Sequence, residues 1–192
     1  IFTKGVKIDE GEHVIVEIEF LAGEYGGSSK DHRHQDVQED LKARKARGCE
    51  LALEYHTQIT VEGKMPNGAV NKVQANLSDV VPFIVMKGMA LYGRFKEKDA
   101  WDIYFCVKSH TGGIDGLAKE FEDVLENKLV QEGLGKIRAK FTSVDGVGPT
   151  SVVDFDEITD REERDGIKRA AFERVNALLD ILKISEFKEQ TS

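Results

Sequence analysis

Cysteine is scarce in this chain. Its two cysteines, Cys49 and Cys106, share no metal-type spacing and fall among apolar neighbours, so they read as reduced core thiols of a cytoplasmic protein rather than as a disulfide framework. Long hydrophobic runs are missing too. No apolar stretch approaches the roughly 18 to 20 residues of a membrane span, and no secretory pattern is visible, because Ile1 leads straight into mixed polar sequence. Positive charge is in the minority. With 27 Lys and Arg against 35 Asp and Glu, the formal net charge of −8 argues against nucleic-acid binding driven by bulk electrostatics. The one dense basic strip, "KARKAR" at 42–47, reads more simply as a solvated helix face than as an RNA contact. G-x-S-x-G, a phosphate-loop G-K-S/T and G-x-G-x-x-G are all absent, and nothing pairs a cysteine with a histidine. The first residue is not Met and a strand-like stretch follows almost at once, which points to a processed, truncated or partial chain.

What is present favours one folded domain. Hydrophobic residues make up 40% of the chain and charged residues 32%, enough apolar side chains for a core and against wholesale disorder. "HVIVEIEFLA", residues 13–22, predicts a strand, with Glu17 and Glu19 on one face and Val16, Ile18 and Phe20 on the other. The polar, glycine-rich stretch 23–36 predicts a loop, and 37–47 carries helix formers. "TQITVEGKM" and "AVNKVQANL" flank "PNG", where Asn67-Gly68 supplies a tight hairpin turn. Ser78 or Asp79 then offers a helix N-cap with Pro82 in the first turn. A second helix is expected from about Glu97 to Lys108, closed by "HTGG", and further helices over 115–125 and 127–140. After the break "DGVGPT", a long helix is expected from about Asp160 to Ile184, carrying Ile167, Ala171, Val175, Leu178, Leu179 and Leu182 at helical spacing. Strands first and helices after imply an α+β fold. Its strand and hairpin portion would span 1–77 and its helical portion 78–192, a small mixed sheet with a β-hairpin followed by a helical bundle.

The acidic residues supply the candidate chemistry. Asp99 and Asp102 stand three apart on a helix, so their carboxylates are neighbours. Lys96 and Lys98 are close in sequence and Arg94 sits at the preceding break. Acidic charge near a helix N-terminus is a common stabilising device. Yet Trp101, Ile103, Tyr104 and Phe105 make most of this helix apolar, so Asp102 needs a partner. Lys87, a lysine amid "IVMKGMAL", is the natural one. Glu17 and Glu19 read first as a solvent face, although carboxylates roughly 6 to 7 Å apart along a strand can also contribute to a magnesium site. His32 and His34 in "DHRHQD" lack a regular element to fix a metal geometry. Asp154 and Asp156 in "VDFDE" form a D-x-D pair close behind a glycine-rich turn, and read as a decoy.

In order, "VEIEFLAGE", "VMKGMAL" and "RFKEKDAWDIYF" resemble the later part of the AbiEii/AbiGii-type nucleotidyltransferases, of the polymerase-beta-like superfamily. The resemblance covers most of residues 10–110, and the helical remainder more loosely. Its basic residue followed by D-x-x-D on a helix corresponds to Lys98, Asp99 and Asp102. Its upstream helical lysine corresponds to Lys87, before Ala90-Leu91. Its strand carboxylate is matched best by Glu19 in "IEF", with Glu17 in "VEI" as the alternative. The resemblance implies catalytic roles for Glu19, Asp99 and Asp102, nucleotide contacts from Lys87, Arg94 and Lys98, and magnesium held with Glu19 or Glu17. It further implies transfer of a nucleotide from NTP to an RNA or protein acceptor, and a toxin of a toxin–antitoxin or phage-defence pair with an antitoxin partner. The superfamily's Gly-Ser turn followed by D-x-D should precede the "VEIEF" strand, where only twelve residues stand. Gly27-Ser28 comes after that strand and no D-x-D follows it. This chain alone is therefore expected to be inactive, and the alternative is a noncatalytic module that binds a partner protein or nucleic acid.

Overall fold

The computed structural model describes residues 2–7, 13–23, 34–38, 41–65 and 67–187. The chain divides into two units, 1–50 and 51–192, and its architecture is α+β, with small sheets followed by helices.

In the first unit, β1 (Phe2–Lys7) pairs antiparallel with β2 (His13–Ile18) in a register running from Phe2↔Ile18 to Lys7↔His13. That register ends at Ile18, so the expected 13–22 strand is divided. Glu19 and Phe20 connect β2 to β3 (Leu21–Ala22), which runs parallel to β5 (Leu41–Lys45). β4 (His34–Gln38) pairs antiparallel with β5, giving the order β3-β5-β4. The helix expected over 37–47 is thus two strands. "LKAR" alternates apolar and basic residues with period two, and Ala43 is buried while Arg44 reaches Glu19. Ladder pairing here overrides the helix propensity of Leu, Lys, Ala and Arg, which is only a weak bias. α1 (Cys49–Glu54), which runs across the division between the units, follows Gly48, whose φ of 86° suits a residue without Cβ.

In the second unit, β6 (His56–Lys64) and β7 (Val70–Ser78) form the expected hairpin as a sheet of their own, from His56↔Ser78 to Lys64↔Val70. Gly68 takes φ 85° and donates its N–H to Met65 O at 2.8 Å. Ile59, Val61, Val73, Ala75 and Leu77 share one face of this hairpin, Thr60, Glu62, Lys72 and Gln74 the other.

The helices are α2 (Val80–Arg94), α3 (Glu97–Ser109), α4 (Gly113–Glu120), α5 (Lys128–Lys140), α6 (Val147–Phe155) and α7 (Arg161–Ile181). Asp79 occupies the N-cap position of α2, but its carboxylate accepts from Thr57 Oγ1 at 2.7 Å, tying the hairpin to the helix start. Asn127 and Asp160 cap α5 and α7 by accepting from Leu129 N and Glu163 N. Ile84, Val85 and Leu91 of α2, Ile103 and Val107 of α3, Val130, Leu134 and Ile137 of α5, and Val175, Leu178 and Leu179 of α7 build one core around Phe121 and Phe141. α2 and α5 cross where both helices carry glycine. A Cβ on Gly133 would come within 2.7 Å of Val85 Cγ1, and one on Gly88 would collide with Gly133 O. That close crossing fixes the backbone beside Lys87.

Candidate functional site

The site grows from the turn between α2 and α3. Lys87 and Arg94 are seven residues apart on α2 and so project from one face. Phe95 ends α2 in the left-handed region at φ 51°, and α3 begins two residues later. Asp99 therefore falls in the first turn of α3, where the helix dipole favours an anion. Asp102 follows one turn on. Asp99 is 1% exposed and Asp102 6%; they are the buried acidic residues of the described core.

Burying two carboxylates requires compensation, and three cations supply it. Arg94 presents a bidentate fork to Asp99, Nε to Oδ2 at 2.8 Å and Nη2 to Oδ1 at 2.9 Å. Lys87, 20% exposed, donates to Asp99 Oδ1 at 3.0 Å and lies 2.6 Å from Asp102 Oδ2. That second contact is an ion pair whose angle falls outside hydrogen-bond geometry, leaving Asp102 Oδ2 buried without a directed donor. Lys98 donates to Asp102 Oδ1 at 2.7 Å, an i, i+4 pair. The partner expected for Asp102, Lys87, is the one found, and it serves Asp99 as well. The fork from Arg94 was not visible in the sequence, because only the left-handed turn at Phe95 aims that side chain back at Asp99.

The charges reinforce one another. Burial by itself would raise the pKa of Asp99, but the hydrogen bonds from Arg94 and Lys87, and then their charges, outweigh it and hold the carboxyl below its ordinary value. Burial by itself would lower the pKa of Lys87, and contact with Asp102 and Asp99 outweighs that and raises it. One turn beyond Asp102, burial and then the Asp102 charge push the Cys106 thiol up to about 11, against the opposing charge of Lys87. It stays protonated at neutral pH and is no nucleophile.

The remaining candidates stand apart from this cluster in the chain. Glu17 is an exposed residue of β2 opposite Thr3. Glu19 lies past the end of β2 rather than on a strand, and accepts from Arg44 Nη1 at 3.2 Å. Both belong to the first unit, whereas Lys87, Arg94, Lys98, Asp99 and Asp102 belong to the second. His32 lies outside the described residues, as does the side chain of His34. Asp154 accepts from Arg164 Nη2 at 2.6 Å, at the end of α6. Among the described residues no group of three or more His, Cys, Asp or Glu is placed to hold a metal. Both oxygens of Asp99 and one of Asp102 already accept from cations, so this donor set does not by itself fit a magnesium ion, which needs free oxygen ligands. What the cluster offers is a fixed, partly exposed group of three cations around two anions, with Lys98 its most exposed member. No helix among the described residues is long and apolar enough to cross a membrane.

No protein-family model, curated protein or solved structure matches the chain.

Proposed function

We propose that this chain is a nucleotidyltransferase-like protein of the AbiEii/AbiGii type, contributing the distal, phosphate-facing part of the site. The observation that carries the reading is Lys87: an ammonium held between two buried carboxylates on the adjoining helix, beside a buried carboxylate oxygen that lacks a directed donor. Of the residues that bear the sequence resemblance, Lys87, Lys98, Asp99 and Asp102 are neighbours in space, whereas Glu17 and Glu19 belong to the first unit. In this reading Lys87, Arg94 and Lys98 balance triphosphate charge, Asp99 locks the two lysine- and arginine-bearing turns together, and Asp102 orients Lys87 and Lys98. The reaction class is transfer of a nucleotide from NTP to an RNA or protein acceptor with release of pyrophosphate, and magnesium, when bound, would neutralise the phosphates. The carboxylates of this cluster do not complete that ion's shell, so the D-x-D aspartates have to be supplied from elsewhere. Glu19, or Glu17, both of the first unit, is assigned as a further carboxylate by the sequence resemblance alone. A toxin role with an antitoxin partner, and a cytoplasmic setting consistent with the free thiols of Cys49 and Cys106, complete the proposal.

A second reading, a noncatalytic module that binds a partner protein or nucleic acid, is favoured by the engagement of both Asp99 oxygens. Calorimetric titration of the chain with each NTP, with and without magnesium, separates the two. Magnesium-dependent heat that disappears in Asp102→Asn supports the nucleotide site. Silence with every NTP contradicts it and leaves the binding module.

A further inference from the structure

Three aromatic rings meet on the outer side of α3. Trp101 and Phe105, one turn apart, have ring centroids 5.1 Å apart and planes inclined by 15°. Phe155, the last residue of α6, brings its centroid to 5.3 Å from Trp101. Phe105 is 50% exposed and Phe155 37%, so a joined aromatic surface faces water, the kind of patch that marks a binding site more often than a lone exposed ring does. A cation is fixed beside it. Lys98 Nζ stands 5.8 Å from the Trp101 centroid and 5.7 Å from that of Phe155, within cation–π range, while its pair with Asp102 holds it in place. Through Asp102 this ammonium is joined to Lys87 and the rest of the charged cluster.

We propose that Trp101, Phe105, Phe155 and Lys98 form a nucleobase-stacking platform, with the base against the exposed Phe105 and Phe155 rings and its phosphate at Lys98. Flat apolar rings beside a restrained cation complement a ligand that is itself a flat ring beside an anion, and stacking of this kind accepts any base. In a chain of net charge −8, a localised cation rather than the overall field has to supply the attraction to phosphate. The platform rests on the nucleotide reading of the adjoining cluster and deepens it by assigning the base. The base comes from a free mononucleotide or from a single-stranded nucleic acid.

Trp101 is the only tryptophan in the chain, so intrinsic fluorescence reports on this platform alone. The chain is titrated with AMP, with CMP, with a short oligoadenylate RNA, and with ribose 5-phosphate as a ligand without a base. Quenching by the mononucleotides assigns a free nucleotide, and quenching by the oligomer alone assigns a strand. Phe105→Leu and Phe155→Leu keep apolar packing but remove the ring face. Each should raise the half-quenching concentration about tenfold, the equivalent of ~1.4 kcal/mol, with the near-ultraviolet circular dichroism showing that the fold persists. Quenching that ribose 5-phosphate matches, or that neither leucine variant weakens, overturns the platform. So does an unchanged spectrum with every ligand. In that last case calorimetry with magnesium–NTP decides the wider reading: heat without quenching removes the platform alone, whereas no heat removes both.

Discussion

Asp99 shows how one residue commits a region of the chain. Its buried carboxylate accepts from Arg94 twice and from Lys87 once. Asp99→Ala removes the acceptor of the Arg94 fork and one of the two carboxylates that Lys87 meets, and should lower unfolding free energy by about 1–3 kcal/mol, measured by urea denaturation. The pH dependence follows from the directions of the shifts. Asp99 is held below its ordinary 3.8, so its contribution is fully present above that value and is lost as pH falls through the folded-state pKa. Lys87 is held above its ordinary 10.5, so its contribution is complete below that value and is lost as pH rises through the folded-state pKa. The stability difference between the chain and Asp99→Asn should therefore stay constant from about pH 5 to about pH 9 and shrink in acid. A difference that changes across neutrality would contradict the assignment. The pairing of Lys87 with Asp102 was legible because a lysine in an apolar helix and an aspartate in the next one each need the other. The roles of Phe95 and Arg94 were not, since nothing in "GRFKE" announces a bulky residue at positive φ.

At the scale of the element, the crossing of α2 over α5 is set by what is missing from it. Gly133→Ala would drive a methyl group against Val85, and Gly88→Ala one against the α5 backbone. Each should destabilise by about 2–3 kcal/mol. Gly166→Ala meets nothing within 4 Å on the exposed side of α7, and should stabilise by about 0.5–1 kcal/mol through lost unfolded-state freedom. Thermal melting of the three variants checks the contrast, and equal effects would remove close packing as the cause. α7 ends in a left-handed cap, with Lys183 at φ 53° and Ile184 N donating to Leu179 O at 2.9 Å. Lys183→Gly should gain about 1 kcal/mol there. Helices with an uninterrupted 3.6-residue apolar period were readable, α2, α3 and α7 above all. α6 was not, because Gly148 and Pro149 in "DGVGPT" look like a break. Proline is tolerated in a first turn, and Gly148 lets that turn pack closely on Phe141. The strands at 34–38 and 41–45 were missed for other reasons: 34–36 fall in a polar stretch that reads as loop, "LKAR" favours helix locally, and only pairing with a neighbour decides otherwise.

At the scale of the whole molecule, the helical core is what brings the predicted lysine and aspartates together, and the account stands or falls on whether that cluster binds nucleotide or only braces α2 against α3. Both uses demand ion pairs in the same places, so geometry is common to them and ligand response is not. The most direct test is the melting temperature of the chain and of Lys87→Met, which keeps an apolar stem without the charge, each with and without saturating magnesium–NTP. A ligand at 100 times its Kd stabilises the folded state by about 2.7 kcal/mol. The account predicts that the unaltered chain melts higher with nucleotide, and that Lys87→Met melts lower without it and gains nothing when it is added. A Lys87→Met protein that melts lower yet shows the full nucleotide-dependent rise, or an unaltered chain that shows no rise, would contradict it.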